Sequence, residues 1–221
     1  MRLLARIVLN TALLSALLTA PWRWLAPPTT SFMVQERFGV SGPAREVGYR
    51  WVSWDEISPH LRIAVVAAED QKFPTHHGFD LQAISHALRD GDGPQRGAST
   101  ISQQVAKNLF LWPGRSVLRK GLEAYFTLWI EALWPKRRIL ETYLNVAEFG
   151  PGIFGAEAAS RDFFGTSARA LSPEQASLLA AVLPSPKRWS AARPSPWVRD
   201  RARAILAASR RLGESAYLSG L

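Results

Sequence analysis

Four serines in this sequence, Ser58, Ser99, Ser116 and Ser172, each stand just ahead of a run whose apolar residues recur at helical spacing. A serine so placed offers its side-chain oxygen to the unpaired N–H groups of a first helical turn, and therefore marks where a helix begins. Pro59 and Pro173 follow two of them, and a first-turn proline fixes φ at a helical value. The spacing predicts helices from Ser58 to Asp70, from Ser99 to near Phe110 and from Ser116 to near Trp134, where Pro135 stops the chain. Another covers Lys136 to near Glu148, and an Ala- and Leu-rich one runs from Ser172 toward Pro184 and Pro186. Shorter helices are expected from Asp80 to near Gly91 and within Gly152 to Phe164, and a last, arginine-rich one from near Pro196 to Leu212. Between residue 29 and about 55 the pattern is irregular, with room for extended pieces. The fold class is mainly α.

The N-terminus sets a second constraint. Arg2 and Arg6 precede a largely apolar stretch from Ile7 to Ala20, closed by Trp22, Arg23 and Trp24. A signal peptidase cut after Ala20 would put Leu18 and Pro21 at positions that such a site tolerates poorly. Counted from Leu3 to Trp24 the segment approaches the roughly 20 residues of a spanning helix, with the tryptophans where an interfacial belt belongs. Residues 1–25 are therefore read as an uncleaved signal anchor, a transmembrane helix, in preference to a cleaved signal or a buried core helix. The arginines place its start in the cytoplasm and the remainder outside the inner membrane. Pro27 and Pro28 open a linker and lead-in segment, residues 26–54, and residues 55–221 form one domain.

No cysteine occurs, which removes disulfides, thiolate metal sites and a cysteine nucleophile. The formal charge of +9 favours an anionic partner such as nucleic acid, a phosphate-bearing lipid or an acidic leaflet, and does not choose among them. Arg199, Arg201, Arg203, Arg210 and Arg211 fit the plainer role of solvating a helix face.

The residues suited to chemistry come in blocks. Glu69-Asp70-Gln71-Lys72-Phe73-Pro74-Thr75-His76-His77-Gly78 puts two carboxylates at a helix end beside a turn. Gly97-Ala98-Ser99-Thr100-Ile101-Ser102-Gln103-Gln104 follows, then Lys107 and Asn108. Ser99, Gln103 and Lys107 lie four apart, a face suited to an anionic, hydroxyl-rich ligand at the positive end of a helix. Arg115 comes next, Arg119-Lys120-Gly121-Leu122-Glu123 sets a third carboxylate against two cations, and Lys136-Arg137-Arg138 leads into Glu141-Thr142-Tyr143-Leu144-Asn145. His76 and His77 are adjacent, with no His-x-x-x-His and no cysteine partner, so zinc is set aside; His76 is expected to fix the loop that holds Glu69. The aromatic runs at Leu109–Pro113 and Tyr125–Trp129 suit a core and a membrane-inserting surface equally.

Taken in order, these blocks resemble the motifs of the peptidoglycan glycosyltransferases, the family that includes the glycosyltransferase domain of bifunctional penicillin-binding proteins. The likeness covers roughly residues 55 to 205. Its first motif has the form Glu-Asp-x-x-Phe-x-x-His-x-Gly without departure, and its last two are the Gly150, Gly152, Gly155 run to Phe164 and the stretch Glu174 to Pro186. Ser102 stands where threonine is common and Phe163 where tyrosine is. The resemblance implies a lysozyme-like helical fold, an apolar membrane-hugging jaw, lipid II and a growing lipid-linked glycan as substrates, a divalent metal (Mg2+ or Mn2+) near the diphosphate, and cell-wall synthesis or division proteins as partners. It assigns the general base to Glu69 and a second catalytic role, near the diphosphate, to Glu123. Asp70, His76, Ser99, Gln103, Gln104, Lys107, Asn108, Arg115, Arg119, Lys120 and Lys136 become the expected substrate-binding set. Neither Ser-x-x-Lys nor Lys-Thr-Gly occurs, so a monofunctional member without transpeptidase activity is expected.

Two rivals stand beside this expectation. A lysozyme-like glycan hydrolase would also use a glutamate, but needs it protonated to release a poor alcohol leaving group. A site crowded with lysine and arginine is expected to keep the carboxylate ionised instead. A non-catalytic membrane scaffold, or a nucleic-acid module on the same basic surface, gives no reason for Glu69 and Glu123 to sit inside these motifs, and an export signal argues against nucleic acid.

Overall fold

A computed structural model describes residues 2–40, 42–82, 85, 99–114 and 116–221, without the side chains of 2–5 and 8. Nine α-helices are described: α1 (Arg2–Thr19), α2 (Ser31–Arg37), α3 (Pro59–Glu69), α4 (Ile101–Phe110), α5 (Val117–Leu133), α6 (Lys136–Val146), α7 (Ala156–Phe164), α8 (Pro173–Val182) and α9 (Pro196–Arg211). The strands are short: β1 (Gly48–Tyr49), β2 (Glu148–Gly150) and β3 (Ile153–Phe154), in the order β1-β3-β2. β1 runs parallel to β3, and β2 antiparallel to it. The expected mainly helical class is what the chain forms.

Helix starts follow local chemistry. Ser58, Ser116 and Ser172 each accept a hydrogen bond from a first-turn N–H. The helix expected to start at Ser99 is capped instead by Thr100, whose hydroxyl accepts from Gln103 N while the Gln103 side chain accepts from Thr100 N. Only a cap at Thr100 puts a glutamine three residues on, where it can close this reciprocal pair. The helix expected to reach Glu148 ends at Val146, and Glu148 opens β2. Most of the helix expected between Asp80 and Gly91 lies outside the described residues.

The lead-in segment holds one element that the pattern did not predict. α2 is capped by Thr30 and sends Met33, 2% exposed, into the core. Further on, the Asn145 side chain from α6 bonds Val52 through both N–H and C=O, and Trp54 N donates to Glu141, so this segment is stitched to α6. Gly155, at φ +85°, lies so close to the Asn145 carbonyl that any Cβ would collide with it.

α3 is almost wholly apolar on its packed side, with Leu61, Ile63, Ala64, Val65 and Val66 buried, and it packs against α8 and α9. α4 packs against α5 and α6. The C-terminal end of α3 meets the N-terminal end of α4, where Asp70 accepts a hydrogen bond from Ile101 N.

α1 does not fulfil the span expected from Leu3 to Trp24. It stops at Thr19, ahead of Pro21, and the chain continues in a 3-10 turn over Ala20–Arg23. Among the described residues no helix is long and apolar enough to cross a membrane. One side of α1 lies on α5: Ser15 Oγ and the Tyr125 hydroxyl are 2.7 Å apart, and Trp134 Nε1 donates to the Thr19 carbonyl. Ile7, Leu9, Leu13, Leu14, Leu17 and Leu18 are exposed.

Candidate active site

Glu69 is the last residue of α3, and its side chain is 12% exposed. Gln104, one turn into α4, donates to Oε2 at 2.9 Å, and the Tyr143 hydroxyl from α6 donates to the Gln104 carbonyl oxygen at 3.1 Å. On the other side Arg201 of α9 comes to 3.8 Å from Oε1. Burial pushes the Glu69 carboxyl above the ordinary carboxylate range; the Gln104 hydrogen bond and the charges of Arg201 and Lys107 pull it back only in part. The nearby cations were expected to govern this carboxyl, but desolvation outweighs them because the side chain sits in a packed corner between three helices.

Asp70 faces the other way. Its carboxylate accepts from Ile101 N and from His76 Nε2, each at 2.9 Å. His76 Nδ1 accepts from Gly78 N, which assigns the ring proton to Nε2. Gly78 O in turn accepts from the Thr100 hydroxyl. Asp70, His76 and Gln103 are thus engaged in holding the turn after α3 onto the cap of α4, and His76 fixes the loop beside Glu69 as expected.

Glu123 is 2% exposed and carries two cations. Arg119 approaches one oxygen at 2.6 Å and Lys120 binds the other. Lys120 also donates to Ser99 Oγ at 3.2 Å, which brings the start of α4 and the first turns of α5 together. Lys107 interacts electrostatically with both Glu123 and Glu69, and its ammonium lies over the Phe32 ring at 5.4 Å. Burial lowers its pKa, with the two glutamates pulling it up. Among the described residues Lys107 has no carboxylate within ion-pair distance, and its charge acts on both glutamates from beyond that range.

The remaining expected residues lie apart from this group or outside the description. Lys136 pairs with Glu131 at 2.8 Å and sits over Phe73 at 4.6 Å, with Ser102 bonded to the same Glu131. Asn108 is buried. Arg115 lies outside the described residues. Tyr143 and Arg201 belong to the site without having been expected there. Tyr143 stands in the block from Glu141 to Asn145 with no role of its own assigned, and Arg201 reads as one more solvated arginine. The available signal was position: Arg201 directly precedes Ala202 and stands three residues after Val198, both buried, on the packed flank of α9.

The donor set for a divalent ion is not assembled here. Among the described residues no three carboxylate or imidazole groups converge. Glu123 is already paired with Arg119 and Lys120, and Asp70 with Ile101 and His76. What the arrangement offers is one largely buried carboxylate with Arg201 and Lys107 as its nearby cations, suited to taking a proton from a hydroxyl while a negative group departs.

Comparison with known proteins supplies the frame for this chemistry. A family profile described as transglycosylase matches residues 38–210. A protein of Pseudomonas aeruginosa named biosynthetic peptidoglycan transglycosylase is 57% identical over 208 residues, covering 92% of this chain and 90% of that protein. Proteins of the same name from Pseudomonas fluorescens and Stutzerimonas stutzeri are 54% and 53% identical, covering 94% and 97% of this chain and 88% and 90% of theirs.

Proposed function

Given that the chain belongs to the transglycosylase family and is a peptidoglycan glycosyltransferase of cell-wall synthesis, we propose that it polymerises lipid II into β-1,4-linked glycan strands with Glu69 as the general base. Glu69 takes the proton from the acceptor's 4-hydroxyl as that oxygen attacks the anomeric carbon of the other sugar. The C–O bond to the lipid diphosphate breaks, with inversion, and the diphosphate departs toward Lys107, Arg119 and Lys120. A diphosphate is already a good leaving group, so it requires cations more than an acid. Glu123 aims Arg119 and Lys120 without itself accepting a proton, since both of its oxygens are engaged.

The observation that carries this reading is a largely buried Glu69 that shares Lys107 with the cation-paired Glu123. A raised carboxyl alone would suit a hydrolase's acid equally well. An inverting hydrolase, however, needs a second free carboxylate to activate water, and both Asp70 and Glu123 are taken. A divalent ion would arrive with the substrate's diphosphate and neutralise part of its charge.

We place the domain on the periplasmic side of the inner membrane, held by the N-terminal segment as a single-pass anchor. Supporting this are the arginines in the first turns of α1, its exposed leucines, and the exposed Val117, Leu118 and Leu128 on α5, the helix it packs on.

Purified protein with labelled lipid II in detergent should lengthen glycan and leave finished strands intact. Glu69→Gln should lower turnover by roughly 10² to 10⁴-fold, the usual loss of general-base catalysis. Near-parental turnover, or shortening of finished glycan, would overturn the reading.

A further inference from the structure

Each oxygen of Glu69 has its own neighbour. Gln104 donates to Oε2, and Arg201 stands 3.8 Å from Oε1. Arg201 is the one side chain of the arginine-rich helix α9 that reaches Glu69 in this way, and it is only 30% exposed. Its guanidinium lies over the Trp197 ring at 5.9 Å, and Trp197 packs on Trp189 with ring centroids 4.1 Å apart. Its Nε is buried and has no hydrogen-bond partner among the described residues, so there the side chain is held by packing and by Glu69 more than by its own hydrogen bonds.

We propose that Arg201 is a positioning residue for the catalytic base: from the C-terminal helix, its guanidinium 3.8 Å from Oε1 holds the Glu69 carboxylate charged and aimed, opposite Gln104 on Oε2. The inference rests on Glu69 being the base.

The groups facing Glu69 divide cleanly. Asp70, next in the chain, opposes its ionisation, and the Tyr143 hydroxyl, hydrogen-bonded to Gln104, also senses the Glu69 charge. Lys107 and Arg201 favour ionisation. Lys107 divides its field between Glu69 and Glu123, and once a diphosphate arrives that field is spent on phosphate oxygens as well. Arg201 is directed at Glu69, and a guanidinium does not lose its proton in a protein. It is therefore the constant cation of the pair. The indole beneath it limits where the planar group can lie, so a lysine at this position would keep the charge and lose part of the aim.

The test is the pH dependence of kcat/KM for lipid II turnover in Arg201→Met and Arg201→Lys, with melting temperatures alongside. Removing the cation makes Glu69 hold its proton to higher pH, so the loss in Arg201→Met should be larger on the acid side. The ratio of rates at about pH 6 and about pH 8 should fall at least roughly threefold below the parental ratio, and Arg201→Lys should restore most of it. A packing role would lower the melting temperature and cut the rate by one factor at both pH values. A direct phosphate contact would raise KM at both. Either result, in a variant folded at the assay temperature, would overturn the proposal. Should Arg201→Met melt below that temperature, Arg201→Gln carries the same comparison. Glu69→Gln separates the premise: if it stays active the base is elsewhere, whereas an inactive Glu69→Gln with an unshifted Arg201→Met profile refutes the role of Arg201 alone.

Discussion

Burial acts in opposite directions on two groups across the site, pushing the Glu69 carboxyl up and the Lys107 ammonium down. Each is then held in its charged form partly by the other. For activity the sign is direct: Glu69 must be ionised to accept a proton, so kcat/KM should fall on acidification at a pH above the ordinary carboxylate range. An acid limb inside that range would contradict the burial described here. For stability the sign is reversed. With its carboxyl raised, the folded state holds more protons than the unfolded one between the two pKa values, so stability drops as pH rises through that window. Glu69→Gln lacks this drop, and its melting temperature relative to the parent should climb from acid to neutral pH. Lys107→Ala should lower kcat/KM by about ten- to a hundredfold, the scale of losing one charge-assisted contact. If it polymerised like the parent at limiting lipid II, the diphosphate would have to be held elsewhere.

The end of α3 and the start of α4 work as one element. Asp70 caps the N–H of Ile101 and holds His76, Gly78 ties that turn to the Thr100 hydroxyl, and Gln103 closes the cap. Through this joint Glu69 meets Gln104 one turn into α4. Thr100→Ala should cost about 1 kcal/mol of stability, as lost caps do. Asp70→Ala leaves the Ile101 N–H and His76 without their buried acceptor and should cost about 1–3 kcal/mol. Both should lower turnover without contacting substrate, and a melting temperature unchanged in Asp70→Ala would dismiss the joint. How much of this was legible in the sequence follows from the range of each interaction. The caps at Ser58, Ser116 and Ser172 were readable because they act within three residues. Ser99 and Thr100 are adjacent hydroxyls, and only the glutamine at position 103 decides between them. α2 escaped notice because its seven residues lie among prolines and glycines and commit mainly Met33 to the core. The motifs singled out Glu69 and Glu123 and quoted Tyr143 without a role, but passed over Arg201; the contacts of Tyr143 and Arg201 arise from helices distant in sequence meeting in space.

At the scale of the whole molecule, the N-terminal segment is docked onto the domain and is not a loose tether. Ser15 meets Tyr125, Trp134 Nε1 donates to the Thr19 carbonyl, Arg23 donates to the Leu133 carbonyl, and Arg138 donates to the carbonyls of Trp22 and Leu25. These contacts all lie between Ser15 and Leu25, whereas four of the six exposed apolar residues of α1, from Ile7 to Leu14, precede them. The proposed membrane attachment and the structural docking are therefore separable along the chain. Removing residues 2–14 should release much of the protein from membranes while leaving the docking bonds, the melting temperature and turnover in detergent close to the parent. Removing residues 1–25 should release it as well, but it also uncovers Trp134, which is 4% exposed in the intact chain, and strips Arg138 of two acceptors. This longer deletion should melt lower by several degrees, since roughly 1–2 kcal/mol corresponds to a few degrees in a domain of this size. It should still turn over lipid II in detergent at a reduced rate, because every motif lies downstream. Fractionation, a thermal melt and a turnover assay on the two deletions decide the matter. Equal melting temperatures would show that the dock carries no stability, and retention of both deletions in the membrane fraction would move the attachment to α5.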